Sequence, residues 1–464
     1  MSSLSTTGYV DDVPYTFHFA RELAPAWLDF VVTLCGFEAP SRAAGFTWCE
    51  LGCGQGLTAA IFAGTHPTGE FHGIDAFEPH IDRARRLCES AGVHNLTLHA
   101  TDFASACEQG LPKFDYIVAH GVYTWIDAQG RNDMRRFIDR HLKPGGVVFV
   151  SYNAMPGWAN DGPFQFLVRE VAGTIFGSST EQFIAAVKQV DALTAAGAPA
   201  LASSYMASGG LEKLRKELPN NYFAHEFLPS AWQPLYVTQV RADMAAAGLV
   251  PAGSATICEN FDSFVLSRSA REALANIADA DVRELARDFF LDQRFRRDVF
   301  VRGARRISDE ERDHRLSECV FDLQHPIDLV DYGMKTSAGT FDFDNPSARA
   351  VVEALRTGPK RVADMPIVAD SDVDPLSSVL ALCAANQLRA VNATVADVGR
   401  LNKALLDHIG GADSLRFFAL PSGTAVTVSP VLAAEPREGE VVSTDRLRWR
   451  EFVDRYRAVE RLSG

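Results

Sequence analysis

The chain has 464 residues, of which 47% are hydrophobic and 22% charged, and a formal net charge of −14. This length exceeds one ordinary core and implies two or three domains, and the composition excludes a disordered chain. No apolar run reaches the roughly 20 residues that span a bilayer. Met1–Asp12 lacks the basic-then-apolar layout of a signal peptide, which makes the cytoplasm the expected location. No dense Lys/Arg stripe offers to neutralise nucleic-acid phosphates. The acidic balance permits a basic substrate, such as a lysine-bearing protein, without demanding one. Eight cysteines are scattered with no CxxC pair, so they read as small buried hydrophobes rather than zinc ligands or disulfides. No His/Asp/Glu cluster has metal-ligand spacing.

From Phe46 to Asn153 short apolar runs alternate with amphipathic stretches, the rhythm of a parallel βαβ sheet. Strands are expected at Phe46–Leu51, Phe71–Asp75, Leu96–His99, Tyr116–Ala119 and Val147–Tyr152. Helices are expected at Leu57–Ala63, Pro79–Ala91 and Asn132–His141. Lys143-Pro144-Gly145-Gly146 reads as a turn before the fifth strand. Residues from about 160 to 230 read as helical, with an Ala-rich span at Phe183–Ala196 and a break at Ser203–Gly210. An amphipathic helix at Gln233–Leu249 and an extended Ala252–Ile257 then rejoin the sheet. Asp298–Arg302, after a charged helix Ala280–Arg296, and Phe264–Ser267 compete for the last strand. Residues 304–325 read as a charged connector. Beyond them come helices at Asn345–Leu355 and Leu376–Asn386 and extended pieces at Phe417–Leu420 and Thr424–Val428. That order fits a small winged-helix-like module with an interaction or regulatory role.

The strongest chemical signal is Glu50-Leu51-Gly52-Cys53-Gly54-Gln55-Gly56, between the first strand and a helix. The glycines run G-x-G-x-G, and Leu57 stands where a dinucleotide fingerprint has its third glycine. Glu50 sits badly beside a pyrophosphate but suits a ligand with an ammonium and a sulfonium. Asp75, ending the second strand with Ala76 next to it, can accept two ribose hydroxyls; the plainer reading is a helix cap. Asp102 can accept from an adenine amino group while Phe103 packs on the ring, or it is a turn aspartate.

The set from Glu50 to Gly146 resembles the class I methyltransferases that use S-adenosylmethionine (SAM). The resemblance implies Glu50 and the backbone of Gly52, Gly54 and Gly56 near the methionine end, Asp75 on the ribose and Asp102 at the adenine. Further local signatures narrow it. They are Val13-Pro14-Tyr15, His120-Gly121-Val122-Tyr123-Thr124-Trp125, Ser151-Tyr152-Asn153-Ala154-Met155-Pro156-Gly157-Trp158, Phe223-Ala224-His225-Glu226 and Asp292-Gln293-Arg294-Phe295-Arg296. Together they look like bacterial methyltransferases with a methyltransferase regulatory domain, here roughly 215–305. Members of that group include protein-lysine methyltransferases.

The expected fold is α/β, a Rossmann-like doubly wound seven-stranded sheet with a helical insertion and a separate small α+β C-terminal domain. Residues 1–165 are the SAM-binding core, 166–230 a lid, 231–303 the return of the sheet and 304–464 the interaction domain. In-line methyl transfer mainly needs alignment and exclusion of water. His120, Tyr123, Tyr152 and Asn153 follow the fourth and fifth strands and are the catalytic candidates, with His120 as the base of suitable pKa. Packing at the mouth of the sheet is their alternative. Tyr15 and Phe17 form a lid over the cofactor or pack on the sheet, and His120 also borders the cofactor. His225-Glu226 closes over the site or is a surface pair or cap. The expected activity is methyl transfer to a nucleophile, with a protein lysine favoured. A biosynthetic O-, N- or C-methyltransferase and a non-catalytic SAM-binding regulator are the alternatives. The acceptor is the expected partner, without nucleic acid or membrane, and a homodimer through the C-terminal module is possible.

Overall fold

In the computed structural model the central strands are apolar on both faces, which only a sheet covered on both sides tolerates. The structure describes Val10, residues 12–393, 396–409 and 416–428, and Arg448, Glu451 and Phe452. Most of Met1–Asp12, and most of the 304–464 unit beyond Val428, lie outside the described residues.

The strands are β1 (Phe46–Leu51), β2 (Gly69–Asp75), β3 (Leu96–Ala100), β4 (Phe114–Ala119), β5 (Leu142–Asn153), β6 (Val250–Ser254) and β7 (Phe295–Val301). They form one sheet in the order β3-β2-β1-β4-β5-β7-β6. β1 to β5 are parallel, and β7 runs antiparallel to both β5 and β6. The order reverses between β1 and β4, which places a ligand crevice at the carboxyl ends of those strands. Helices α1 (Pro25–Leu34), α2 (Leu57–Thr65) and α3 (Glu78–Ala91) bury their apolar sides with Trp48, Phe71 and Phe149. On the opposite face α4 (Phe103–Glu108) and α5 (Ala128–His141) pack with Ile74, Ile117 and Val150.

Between β5 and β6 the chain builds a helical insertion: α6 (Gly162–Ala172), α7 (Ser179–Ala195), α8 (Leu211–Arg215) and α9 (Asn220–Phe227). It has its own core around Phe164, Phe183, Phe223 and Phe227. Ser178 and Glu181 start α7 with a capping box. Helix α10 (Val237–Ala245) then leads into β6 and adds Val240 and Met244 to the second face of the sheet.

Four details differ from the sequence expectation. The last strand is β7, Phe295–Val301, whereas Phe264 belongs to a short helix Asp262–Val265. The charged helix stops at Leu291, because Asp292 adopts φ 46 and terminates it before Arg296. The supposed connector 304–325 contains a helix, Asp309–Glu318, capped by Ser308, and a strand, Val320–Leu323. Lys143–Gly146 stays within β5, and a register shift between Phe114 and Tyr116 on β4 absorbs the irregularity.

Val320–Leu323 is the centre of a three-stranded sheet with Lys360–Arg361 and Leu388–Val391. Helices Pro346–Ala354, Pro375–Ala384 and Gly399–His408 and the hairpin Arg416–Leu420/Thr424–Val428 complete this α+β unit. Its core is continuous with the α1–α2 face of the large sheet. Phe321 meets Phe30 edge-on at 5.1 Å, and Arg400 donates to the carbonyls of Glu89 and Ser90 at the end of α3. Among the described residues no helix is long and apolar enough to cross a membrane, and the eight cysteines are free.

Candidate functional site

The turn after β1 carries three successive left-handed glycines, Gly52, Gly54 and Gly56. Two of them answer different needs. A side chain at Gly56 would strike the Cβ of Ala84 on α3, at 2.6 Å, so this position lets two helices close on each other. A Cβ at Gly54 would meet nothing within 4 Å: this turn opens onto free space.

Two carboxylates border that space. Asp75, at the end of β2, accepts the Gly54 amide on Oδ2 and the Phe77 amide on Oδ1, each at 2.9 Å. His80 approaches Oδ1 to 3.6 Å from α3. Asp75 therefore shapes the glycine turn, and each oxygen keeps a lone pair for a ligand. Glu50 is buried at the end of β1, and its Oε2 has no hydrogen-bond partner. Burial, and then the neighbouring Asp75, push its carboxyl up to about 8. A buried acid with an orphaned oxygen facing an open turn is what a cationic ligand relieves. Ala76 is exposed beside Asp75. Asp102 is exposed and caps α4 by accepting the Ser105 amide at 2.7 Å, with the half-buried Phe103 next to it.

The N-terminal segment crosses the turn as a strap. Gln55 donates to the Tyr15 carbonyl and accepts from Arg83, while the Ala20 amide donates to Thr58 Oγ1 at 3.1 Å. Its other edge meets α9: Asn221 donates to the Pro14 carbonyl at 2.9 Å, and His225 Nε2 lies 2.9 Å from the Val13 carbonyl. The Tyr15 ring packs against His225 and Tyr222. Phe17 packs against the core on the α1–α2 face.

At the ends of β4 and β5 the structure separates the expected catalytic group. Tyr123 is fully buried, and its hydroxyl donates to Asp243 on α10 at 2.6 Å. Tyr152 is fully buried too and donates to Asp298 on β7 at 2.7 Å. Both hydroxyls are engaged by carboxylates within packed protein. His120 stacks on His18 with ring centroids 5.3 Å apart, and its Nδ1 lies 3.0 Å from Ser151 Oγ. Loss of hydration, and then His18, push His120 down to about 3. An imidazole held that low is neutral at pH 7 and a weak base.

Asn153 remains at the mouth. Its amide N–H bonds Thr124 Oγ1 at 2.8 Å, and its Nδ2 donates to Glu226 Oε1 at 3.1 Å. Its Oδ1 and the second Glu226 oxygen have no partner among the described residues. Burial pushes Glu226 up to about 7, and the Asn153 bond acts in the opposite sense. Burial, and then the Glu226 charge, raise the Tyr15 phenol above its ordinary value; at Tyr222 the Glu226 charge comes first and burial second. The sequence marks Glu226 only as half of an ambiguous His-Glu pair; nothing local announces its partner 73 residues earlier. Among the described residues no group of three or more His, Cys, Asp or Glu could hold a metal ion.

Known proteins fit this picture. A family model described as "Methyltransferase domain" matches residues 49–148, and one described as "Predicted methyltransferase regulatory domain" matches 219–302. The uncharacterized protein sll1526 of Synechocystis sp. is 33% identical over 358 residues, 77% of this chain and 71% of that one. The uncharacterized protein RP028 of Rickettsia prowazekii is 30% identical over 148 residues, 32% of this chain and 58% of its own. The structure of PKMT2 from Rickettsia typhi in complex with AdoHcy superposes with a TM-score of 0.66 over 97% of each chain, at 18% identity.

Proposed function

Because the chain belongs to the SAM-dependent methyltransferases that carry a methyltransferase regulatory domain, we propose that it methylates the side-chain amine of a protein lysine. The observation that carries the cofactor half is the orphaned oxygen of buried Glu50 beside the open turn at Gly54. Glu50 and the backbone of Gly52, Gly54 and Gly56 hold the cationic methionine end, and Asp75 with Ala76 holds the ribose. Asp102 keeps one oxygen for the adenine amino group, Phe103 packs on the ring, and Tyr15 covers the site from the strap. Bound there, SAM supplies a methyl group on a sulfonium sulfur.

The acceptor half is supported by the chemistry around Asn153. Asn153 Oδ1 and the second oxygen of Glu226 are hydrogen-bond acceptors without donors among the described residues, and Tyr15 and Tyr222 lie close to Glu226. Acceptors and aromatic faces suit an amine or ammonium, which brings donors and positive charge, better than a carboxylate or phosphate. His120 serves as a neutral wall tied to Ser151. The whole-chain likeness to PKMT2 and the resemblance to a group with lysine methyltransferases support a protein substrate.

The test is SAM with a radioactive methyl group, incubated with the protein and an extract of the cells that make it, with Asp75→Ala as the blank. Label on lysine in a protein band is the expected result. Label confined to small molecules would overturn the lysine reading in favour of a metabolite acceptor.

A further inference from the structure

We infer that Glu226 is the catalytic base, the group that takes the proton from the attacking amine. The inference rests on the lysine reading above and assigns a residue that the motif from Glu50 to Gly146 does not contain.

The geometry makes the assignment by elimination and by position. Tyr123 and Tyr152 spend their hydroxyls on Asp243 and Asp298 in the core. His225 has its Nε2 against the Val13 carbonyl, and burial pushes it down to about 4; His120 is lower still. Asp75 and Glu50 border the cofactor side of the opening, next to the glycine turn. Glu226, on α9, reaches the end of β5, where Asn153 fixes one of its oxygens and the other has no partner among the described residues. The groups that face it are Asn153 from β5, Tyr15 from the strap and Tyr222 from its own helix. None is a cation. A lysine entering here brings the positive charge that the carboxylate lacks.

The step balances without a further reactant. The lysine ammonium gives its proton to the free Glu226 oxygen, and the N–H electron pair stays on nitrogen. That pair then forms the new N–C bond while the pair of the breaking C–S bond leaves with sulfur as a neutral thioether. The product is a methylammonium, and Glu226 returns its proton to water. A carboxyl held near neutrality suits both directions of that exchange. Asn153 is a positioning residue: it orients the carboxylate and leaves its own Oδ1 for the amine.

Full-length protein and the Glu226→Gln variant test this with labelled SAM and the acceptor found in the extract. Lysine labelling by the unaltered protein is the premise, and label on any other atom overturns the premise and the base together. With lysine labelled, Glu226→Gln is expected to slow labelling about 100-fold or more at pH 7 and to lose the rise in rate as pH passes through neutrality. Its affinity for AdoHcy, read by calorimetry, is expected to stay within about twofold. A Gln variant that keeps the rate and pH profile overturns the inference while leaving the lysine reading intact. A variant that loses AdoHcy overturns it by moving Glu226 to the cofactor side. A readout independent of turnover is the melting temperature of both proteins from pH 5 to 8. A carboxyl raised in the fold costs the unaltered protein stability as pH rises, so it should fall relative to the variant. A constant gap overturns the inference.

Discussion

Two groups of buried carboxylates share one sheet and differ in what faces them. On β7, Asp298 lies beside Arg296, whose guanidinium also reaches Asp288 and, at 2.7 Å, Glu284. Tyr152 adds a hydroxyl to the same group. At the end of β1, Glu50 and Asp75 lie together, and Glu50 keeps an oxygen with no partner. The first cluster carries its own cation and holds the last strand in place. The second has no Arg or Lys ion pair among the described residues and opens onto space at Gly54. Both are clusters of acids at the sheet, the first joining Asp298 on β7 to Glu284 and Asp288 on the helix Ala280–Leu291, but only the second keeps an orphaned carboxylate oxygen beside open space; it is incompleteness, not acidity, that marks a binding site.

Breaking the closed cluster should have the largest effect. Arg296→Met leaves Asp288 and Asp298 without their ion-pair partner and Glu284 with only the longer contacts of Arg287 and Arg241, at 3.6 and 3.8 Å, and a loss of about 3–5 kcal/mol is expected in chemical denaturation. An unchanged midpoint would show that the cluster is not a structural clamp. In the open cluster Asp75→Ala is expected to weaken SAM binding by about 2–4 kcal/mol by calorimetry, since it removes a charged acceptor and frees the Gly54 amide. Full affinity would remove Asp75 from the ribose. Tyr152→Phe sharpens the contrast: it should cost about 1.5–3 kcal/mol of stability through the lost bond to Asp298 and leave methyl transfer intact. Loss of turnover with stability retained would return Tyr152 to the acceptor site.

The effect of Glu50→Gln in the ligand-free protein depends on pH. A carboxyl raised to about 8 in the fold binds a proton that the unfolded chain has lost above pH 4.5. The Glu50 contribution to stability is therefore present below the unfolded value and is lost as pH rises towards 8. The slope is about 1.4 kcal/mol per pH unit. The Gln variant should gain on the unaltered protein across that window while binding SAM less well; a gap that does not change with pH would sink the assignment.

The first five strands and the glycine turn were legible because short runs rich in apolar residues alternate with amphipathic helical stretches. β7 was ambiguous because Arg296 and Asp298 sit inside it, and charge in a short run reads as loop until the two are seen to neutralise each other. The helix Asp309–Glu318 hid for the same reason: nearly every residue is polar, and Leu316 is its one buried position. For Tyr152 the sequence left acceptor contact and packing open, because it does not show which way the side chain points. Alternation along β5 places it with Val150, on the face opposite Phe149. For Glu226 the sequence left closure over the site and a surface pair or cap both open, since its contact with Asn153 joins the insertion to β5 across 73 residues and no periodicity encodes it.

The strap at residues 13–15 touches both reactant halves, the glycine turn through Gln55 and helix α9 through Asn221 and His225. A backbone run pinned at both sides makes occupancy of one a term in the energy of the other. If cofactor loading firms the strap and thereby seats α9, an acceptor resting on α9 must tighten the cofactor by the same factor. The enzyme would then hold its two reactants more firmly together than it holds either one alone.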